Sequence, residues 1–135
     1  MLMPPISRYM TRQPWTIEPG ATLTAAHEVM RSHAIRHLPV MDAGKLVGIV
    51  SERDLHLIET LPDADPDEVT VEEAMTETVY VARPTDEVAE VVDRMAARKL
   101  GSVVVMQDRC VEGIFTSIDA LFVLSNVLRR TVDVR

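Results

Sequence analysis

The chain has 135 residues, 47% of them hydrophobic and 26% charged, which suits a soluble globular domain with a real core. Its formal charge of −7 argues against a protein that lives on a nucleic-acid backbone, since that role needs a basic face. A single cysteine, Cys110, excludes an intramolecular disulfide framework and suits a reducing compartment.

Ile6–Met10 reads as a short helical lead-in, and Pro14–Ile17 as an extended piece ended by the turn dipeptide Pro19-Gly20. Thr22 fits a helix N-cap, with Leu23, Ala26 and Met30 on one helical face through about His33. His37–Met41 and Lys45–Val50 are strand-like, joined by Asp42-Ala-Gly44, and Ser51 opens a helix from Glu52 to about Thr60. Leu61–Thr70 is acidic and broken by prolines, and reads as a solvated connector. Val79–Ala82 is extended, and Val88, Val91, Val92 and Met95 stripe a helix. Ser102–Met106 and Val111–Phe115 read as strands, Ser117–Leu128 as a helix, and the residues from Arg129 as a frayed polar tail. No apolar run approaches the roughly 18–20 residues of a membrane span, and Met1-Leu-Met-Pro-Pro lacks the regions of a secretory signal. A cytoplasmic protein is expected.

The order of elements occurs twice. Displaced by 65 positions, Ile6–Leu55 lies on Val71–Ala120 without a gap, with identities at Met10/Met75, Thr11/Thr76, Pro19/Pro84, Met30/Met95, Val40/Val105, Met41/Met106, Gly48/Gly113, Ile49/Ile114 and Asp54/Asp119. An internal repeat implies two copies of one supersecondary unit. The expected fold is α+β: two pseudo-symmetric strand-helix-strand-strand-helix repeats, sheets packed together with helices outside. Residues 1–60 form the first repeat, 61–70 a linker, 71–128 the second repeat and 129–135 a tail.

Gly48-Ile-Val-Ser-Glu-Arg-Asp54 and Gly113-Ile-Phe-Thr-Ser-Ile-Asp119 share the form Gly-apolar-x-hydroxyl-x-x-Asp, where a strand enters a helix. Helix N-termini carry unpaired N–H groups that receive phosphates. Ser51 or Thr116 can cap the helix and meet a phosphate oxygen, while Asp54 or Asp119 offers two acceptors to a ribose diol. Ser51-Glu-Arg-Asp54 and Thr116-Ser-Ile-Asp119 equally fit a capping box, in which the carboxylate only closes the first helical turn. Both readings stand on the sequence.

With Met10-Thr11 and Met75-Thr76 heading the repeats, His37-Leu-Pro-Val40 in the first, and the Gly48–Leu55 motif, the chain resembles a tandem pair of cystathionine-β-synthase (CBS) domains, a Bateman module. The resemblance covers Ile6 to about Leu128. It implies a sensor for an adenosine-containing ligand (AMP, ADP, ATP or S-adenosylmethionine) bound in clefts between the repeats, with no other cofactor and no catalysis. It assigns Asp54 and Asp119 to ribose hydroxyls and Ser51 and Thr116 to the phosphate side. Ile35, Arg36, His37 and Pro39, with Gly101 and Ser102 within Leu100–Val104, would line the base pocket, and Thr11, Thr76 and Val79 would supply backbone hydrogen bonds. Arg36, His37 and Arg53 can contact phosphate, whereas the second repeat has Gly101, Ser102 and Ile118 there, so unequal occupancy of two sites is expected. The alternative is a ligand-free interaction module of the same fold.

No triad, phosphate-binding Lys loop or zinc-protease helix is present. His33 and His37 lie across a helix end, so no metal site is expected. The stripes Leu23/Ala26/Met30 and Val88/Val91/Met95, together with Leu121, Val123 and Leu124, are expected to share the core and a homodimer surface, with a possible regulated protein partner and no nucleic acid or membrane.

Overall fold

In the computed structural model, residues 3–133 are described, with side chains through Thr131. The fold is mixed α+β. A 3-10 turn (Ile6–Arg8) is followed by β1 (Thr11–Arg12), α1 (Leu23–His33), β2 (His37–Asp42), β3 (Lys45–Ser51), α2 (Glu52–Glu59), α3 (Val71–Ala74), β4 (Val81–Ala82), α4 (Val88–Arg98), β5 (Ser102–Gln107), β6 (Cys110–Thr116) and α5 (Ser117–Asp133). No helix among the described residues is long and apolar enough to cross a membrane.

The compact units exchange the heads of the sequence repeats. One unit is Pro14–Val79; the other joins the chain up to Gln13 with the chain from Tyr80 onward. In the second of these, the sheet order is β1-β6-β5-β4, with β4 parallel to β5 and the other pairs antiparallel. The unit 14–79 reproduces this pattern with fewer residues. The β2–β3 hairpin is flanked by a parallel bridge from Ile17 to Val40 and an antiparallel bridge from Thr76 to Ile49. Each pairing recurs at the 65-residue offset: Ile17/Val40 matches Ala82/Val105, and Thr76/Ile49 matches Thr11/Ile114. Both hairpins slip register at equivalent places, Val40/Met41 and Val105/Met106. Both turn through two left-handed residues, Ala43-Gly44 and Asp108-Arg109, the backbone that a two-residue hairpin turn requires.

The stripes foreseen on α1 and α4 are wholly internal. Leu23, Ala26 and Met30 pack with Leu38, Val40, Val50 and Leu55 in one core. Val88, Val91 and Met95 pack with Ile6, Val103, Val105 and Phe115 in the other. These stripes therefore offer no dimer surface, while Leu121 and Leu124 remain exposed and Val123 packs on the core.

Two readings of the sequence are corrected. The segment before α3 is not a free connector. The first N–H groups of a helix need acceptors outside it, and Val69 and Pro66 supply carbonyls to Leu23 N (3.0 Å) and Thr24 N (3.1 Å) of α1. Thr24 also donates to Asp67 at 2.6 Å. At the other end of the chain, Pro4 O does the same for Val88 N of α4 at 3.0 Å. Residues 129–133 are not a frayed tail either, because α5 continues to Asp133, and the last two residues of the expected tail lie outside the described residues.

Thr22 accepts from Ala25 N at 3.1 Å, whereas its counterpart Glu87 makes no side-chain cap bond. Thr22→Ala should therefore cost about 1 kcal/mol in urea unfolding, and Glu87→Ala distinctly less.

Candidate ligand-binding site

Each repeat motif carries the chain from the hairpin into a helix. Ser51, the N-cap of α2, accepts from Asp54 N at 3.1 Å, and Asp54 Oδ2 accepts from Ser51 N at 2.9 Å. In the other unit Asp119 Oδ2 accepts from Thr116 N (2.9 Å) and from the Thr116 hydroxyl (3.2 Å), and Thr116 Oγ1 accepts from Asp119 N at 3.3 Å. The capping box is thus closed in both units. That does not exhaust the carboxylates, since each has about four acceptor sites and both are only half-buried.

The helix N-termini are less open to phosphate than the sequence suggests. Glu52 N donates to Arg36 O at 2.9 Å, and Ser117 N to Gly101 O at 3.0 Å. With Asp54 N turned to Ser51, two of the first three N–H groups of α2 already have acceptors. Arg36 and Arg53 are both exposed.

The head exchange decides which candidates share a unit. Ile35, Arg36, His37, Pro39, Ser51, Arg53 and Asp54 are joined by Thr76 and Val79 from the second repeat's head. Thr76 and Ile49 exchange backbone bonds of 2.8 and 2.9 Å, which fixes Thr76 beside the Gly48–Asp54 strand. Gly101, Ser102, Thr116 and Asp119 are joined by Thr11, opposite Ile114 in register. His37 lies opposite Ser51, and Ser102 opposite Thr116. Pro39 is buried and its carbonyl accepts from Ile17 N at 3.0 Å, so it is a wall of the strand pair.

Sequence reasoning passed over one cluster. An open depression of about 740 Å³ between α1 and α2 is lined by His27, His56, Glu59, Glu52, Ile35 and Arg36, among others. His27 Nε2 lies 2.6 Å from Glu59 Oε1, and the two imidazoles meet edge-on at 5.3 Å. The spacing of His56 and Glu59 on α2 was a visible signal; its partner on α1 was not. Among the described residues no group of three or more His, Cys, Asp or Glu has metal-holding geometry.

A strand-to-helix motif repeated in two matching units defines a paired-repeat module, and comparison with known proteins identifies which one. The family model for the CBS domain matches residues 6–57 and 71–126. The chain belongs to the CBS-domain family. AcuB from Vibrio cholerae has a crystal structure that is 32% identical with a TM-score of 0.85, covering 98% of each chain. The CBS domain pair of protein MJ0100, solved with 5′-methylthioadenosine and S-adenosyl-L-methionine, is 28% identical with a TM-score of 0.84 and covers 93% of this chain and 98% of that one. Homoserine O-acetyltransferase of Methanohalobium evestigatum is 31% identical over 116 residues, 84% of this chain but only 23% of that protein. The chain spans less than half the length of the curated relatives it first matches.

Proposed function

We propose that this chain is a regulatory module that binds an adenosine-containing ligand and passes its presence to another protein by shifting the population of two settings of the module. The observation that carries this reading is the repeated hydroxyl–x–x–Asp turn, Ser51–Asp54 and Thr116–Asp119, in a fold similar to a CBS pair that holds two adenosine derivatives. Asp54 and Asp119 take the ribose hydroxyls. Ser51 and Thr116 face the phosphate or its replacement. Ile35–Pro39 and Leu100–Val104 bound the base, and the backbone at Thr11, Thr76 and Val79 reads its edge. Arg36, His37 and Arg53 make the site that contains them the stronger one. The module works as a homodimer, and a reducing, cytoplasmic setting suits its exposed thiol, Cys110.

Thermal unfolding against AMP, ADP, ATP, NAD, 5′-methylthioadenosine and S-adenosylmethionine tests the reading. A ligand at about 100 times its dissociation constant should add roughly 2.7 kcal/mol. Asp54→Ala should lower the unliganded midpoint slightly through loss of its cap bond and abolish most of that ligand increment. Asp119→Ala should remove a smaller share. The closed capping boxes and the lack of basic residues at Gly101, Ser102 and Ile118 favour a second reading, a ligand-free interaction module. A flat response to every compound would select it.

A further inference from the structure

Trp15 is the only tryptophan in the chain, and it is 55% exposed. Its indole lies on the imidazole of His33, with ring centroids 3.7 Å apart and planes inclined at 12°. At that separation the rings overlap with little lateral offset, although aromatic pairs generally favour offset or edge-on contacts. His33 is exposed as well, so burial does not force the two together. The backbone on either side sets the contact.

Two residues beyond Trp15, Ile17 N donates to Pro39 O at 3.0 Å, and Ile17 O accepts from Met41 N at 2.9 Å. Two residues beyond His33, Ile35 N donates to Met30 O at 2.9 Å. The stack therefore closes a ring of chain, from Trp15 to Ile17, across to Pro39, and back through Ile35 to His33. That ring contains Ile35–Pro39, the stretch assigned above to the base. Between His33 and Ile35, Ala34 holds a left-handed conformation (φ 53°). For a residue other than glycine this backbone costs energy and persists where its surroundings hold it.

The repeat supplies an internal control. At the 65-residue offset, Trp15 and His33 correspond to Tyr80 and Arg98. The left-handed hinge recurs there, at Lys99 (φ 56°), but the stack does not. Tyr80 packs against the core of its own unit, with the Arg94 guanidinium 5.9 Å above its ring, and Arg98 is exposed. The fold thus accommodates an aromatic residue at this place without a ring partner. The unit that has the stack is the one that carries Arg36, His37 and Arg53.

We propose that Trp15 and His33 are positioning residues for the adenosine site of the unit Pro14–Val79. Their stack holds the Ile35–Pro39 wall in its binding setting. This inference rests on the adenosine-binding reading above and goes beyond it by naming what keeps one of the two sites formed. Linkage makes the effect reciprocal: a stack that favours the bound setting is itself favoured, by the same factor, when ligand is present.

Trp15 reports on its own contact, because no other tryptophan contributes to the emission. AMP, 5′-methylthioadenosine and S-adenosylmethionine are titrated in turn by calorimetry, and any that bind are added at saturation. Acrylamide quenching of Trp15 in the wild-type protein should then fall. His33→Ala should expose the indole, weaken the tighter site roughly five-fold or more, and abolish the ligand-dependent change in quenching. His33→Phe, which keeps a ring beneath the indole, should restore both. Arg98→Ala, the same truncation at the equivalent place, should leave the affinity unchanged. Both positions are exposed, so none of these changes should alter the circular dichroism spectrum. Affinity that His33→Ala leaves intact, that Arg98→Ala lowers equally, or that His33→Phe does not restore overturns the positioning role alone. Failure of all three compounds to bind the wild-type protein overturns the adenosine reading and this role with it.

Discussion

Phe115→Ala should lower the unfolding free energy by about 3–5 kcal/mol, among the largest losses any single side chain here can cause. Phe115 is fully buried near the end of β6, in a core whose other buried residues are aliphatic or methionine, with Tyr9 and Tyr80 packed against it. The repeat explains why it is there. In one unit the paired strand residues are Leu38 and Val50; in the other they are Val103 and Phe115. The larger residue has moved from the first strand to the second, and the pair fills a comparable space.

Truncation to alanine leaves a cavity that Val103 cannot reach across. The double change Val103→Leu with Phe115→Val rebuilds the Leu38/Val50 pair at the same places. It should recover most of the loss and remain within about 1.5 kcal/mol of wild type, as volume-conserving exchanges do. Urea unfolding of Phe115→Ala, the double variant and its two single changes checks this. If the double variant is as unstable as the sum of its single changes, the two cores are not interchangeable layers of one design.

Much of this fold was legible because the chain states it twice. The stripes Leu23/Ala26/Met30 and Val88/Val91/Met95, both hairpins and the two capping motifs were read correctly from spacing. What could not be read was which copy each head completes. Identity at Met10/Met75 and Gly48/Gly113 is symmetric under exchange, so it fits a head folded on its own repeat equally well. The structure places Met10 over Gly113 and Met75 over Gly48. The segment before α3 was misread because composition reports its solvated side chains, while its role lies in the backbone carbonyls of Pro66 and Val69. α3 itself, only four residues long, is too short for hydrophobic periodicity to declare. At the site, the Ser51–Asp54 spacing identified the side chains, but not that Arg36 O already takes the first N–H of α2.

The head exchange has a mechanical consequence at the two glycines. Gly48→Ala and Gly113→Ala should each destabilise by about 1–3 kcal/mol, with valine at either place costing more. Gly20→Ala, whose added carbon would meet nothing within 4 Å, should be silent. A Cβ at Gly48 would lie 2.6 Å from Met75 Sδ and 2.9 Å from Thr76 O; at Gly113 it would lie 2.5 Å from Met10 Sδ and 2.9 Å from Thr11 O. The methionine can swing aside, being flexible. The carbonyl cannot, because Thr76 O is held by Ile49 N at 2.9 Å, one residue along the same strand as the new methyl group. Relief therefore requires the head to separate from the hairpin. Adding Met75→Ala to Gly48→Ala removes only the yielding partner, so the double variant should stay as unstable as Gly48→Ala or become more so. Full rescue would instead mean that the sulfur alone demands glycine there. If the backbone is the obstacle, Gly48→Ala should also weaken ligand binding more than Gly20→Ala does, since it displaces Thr76 from beside the Ser51–Asp54 turn that the proposed adenosine site uses.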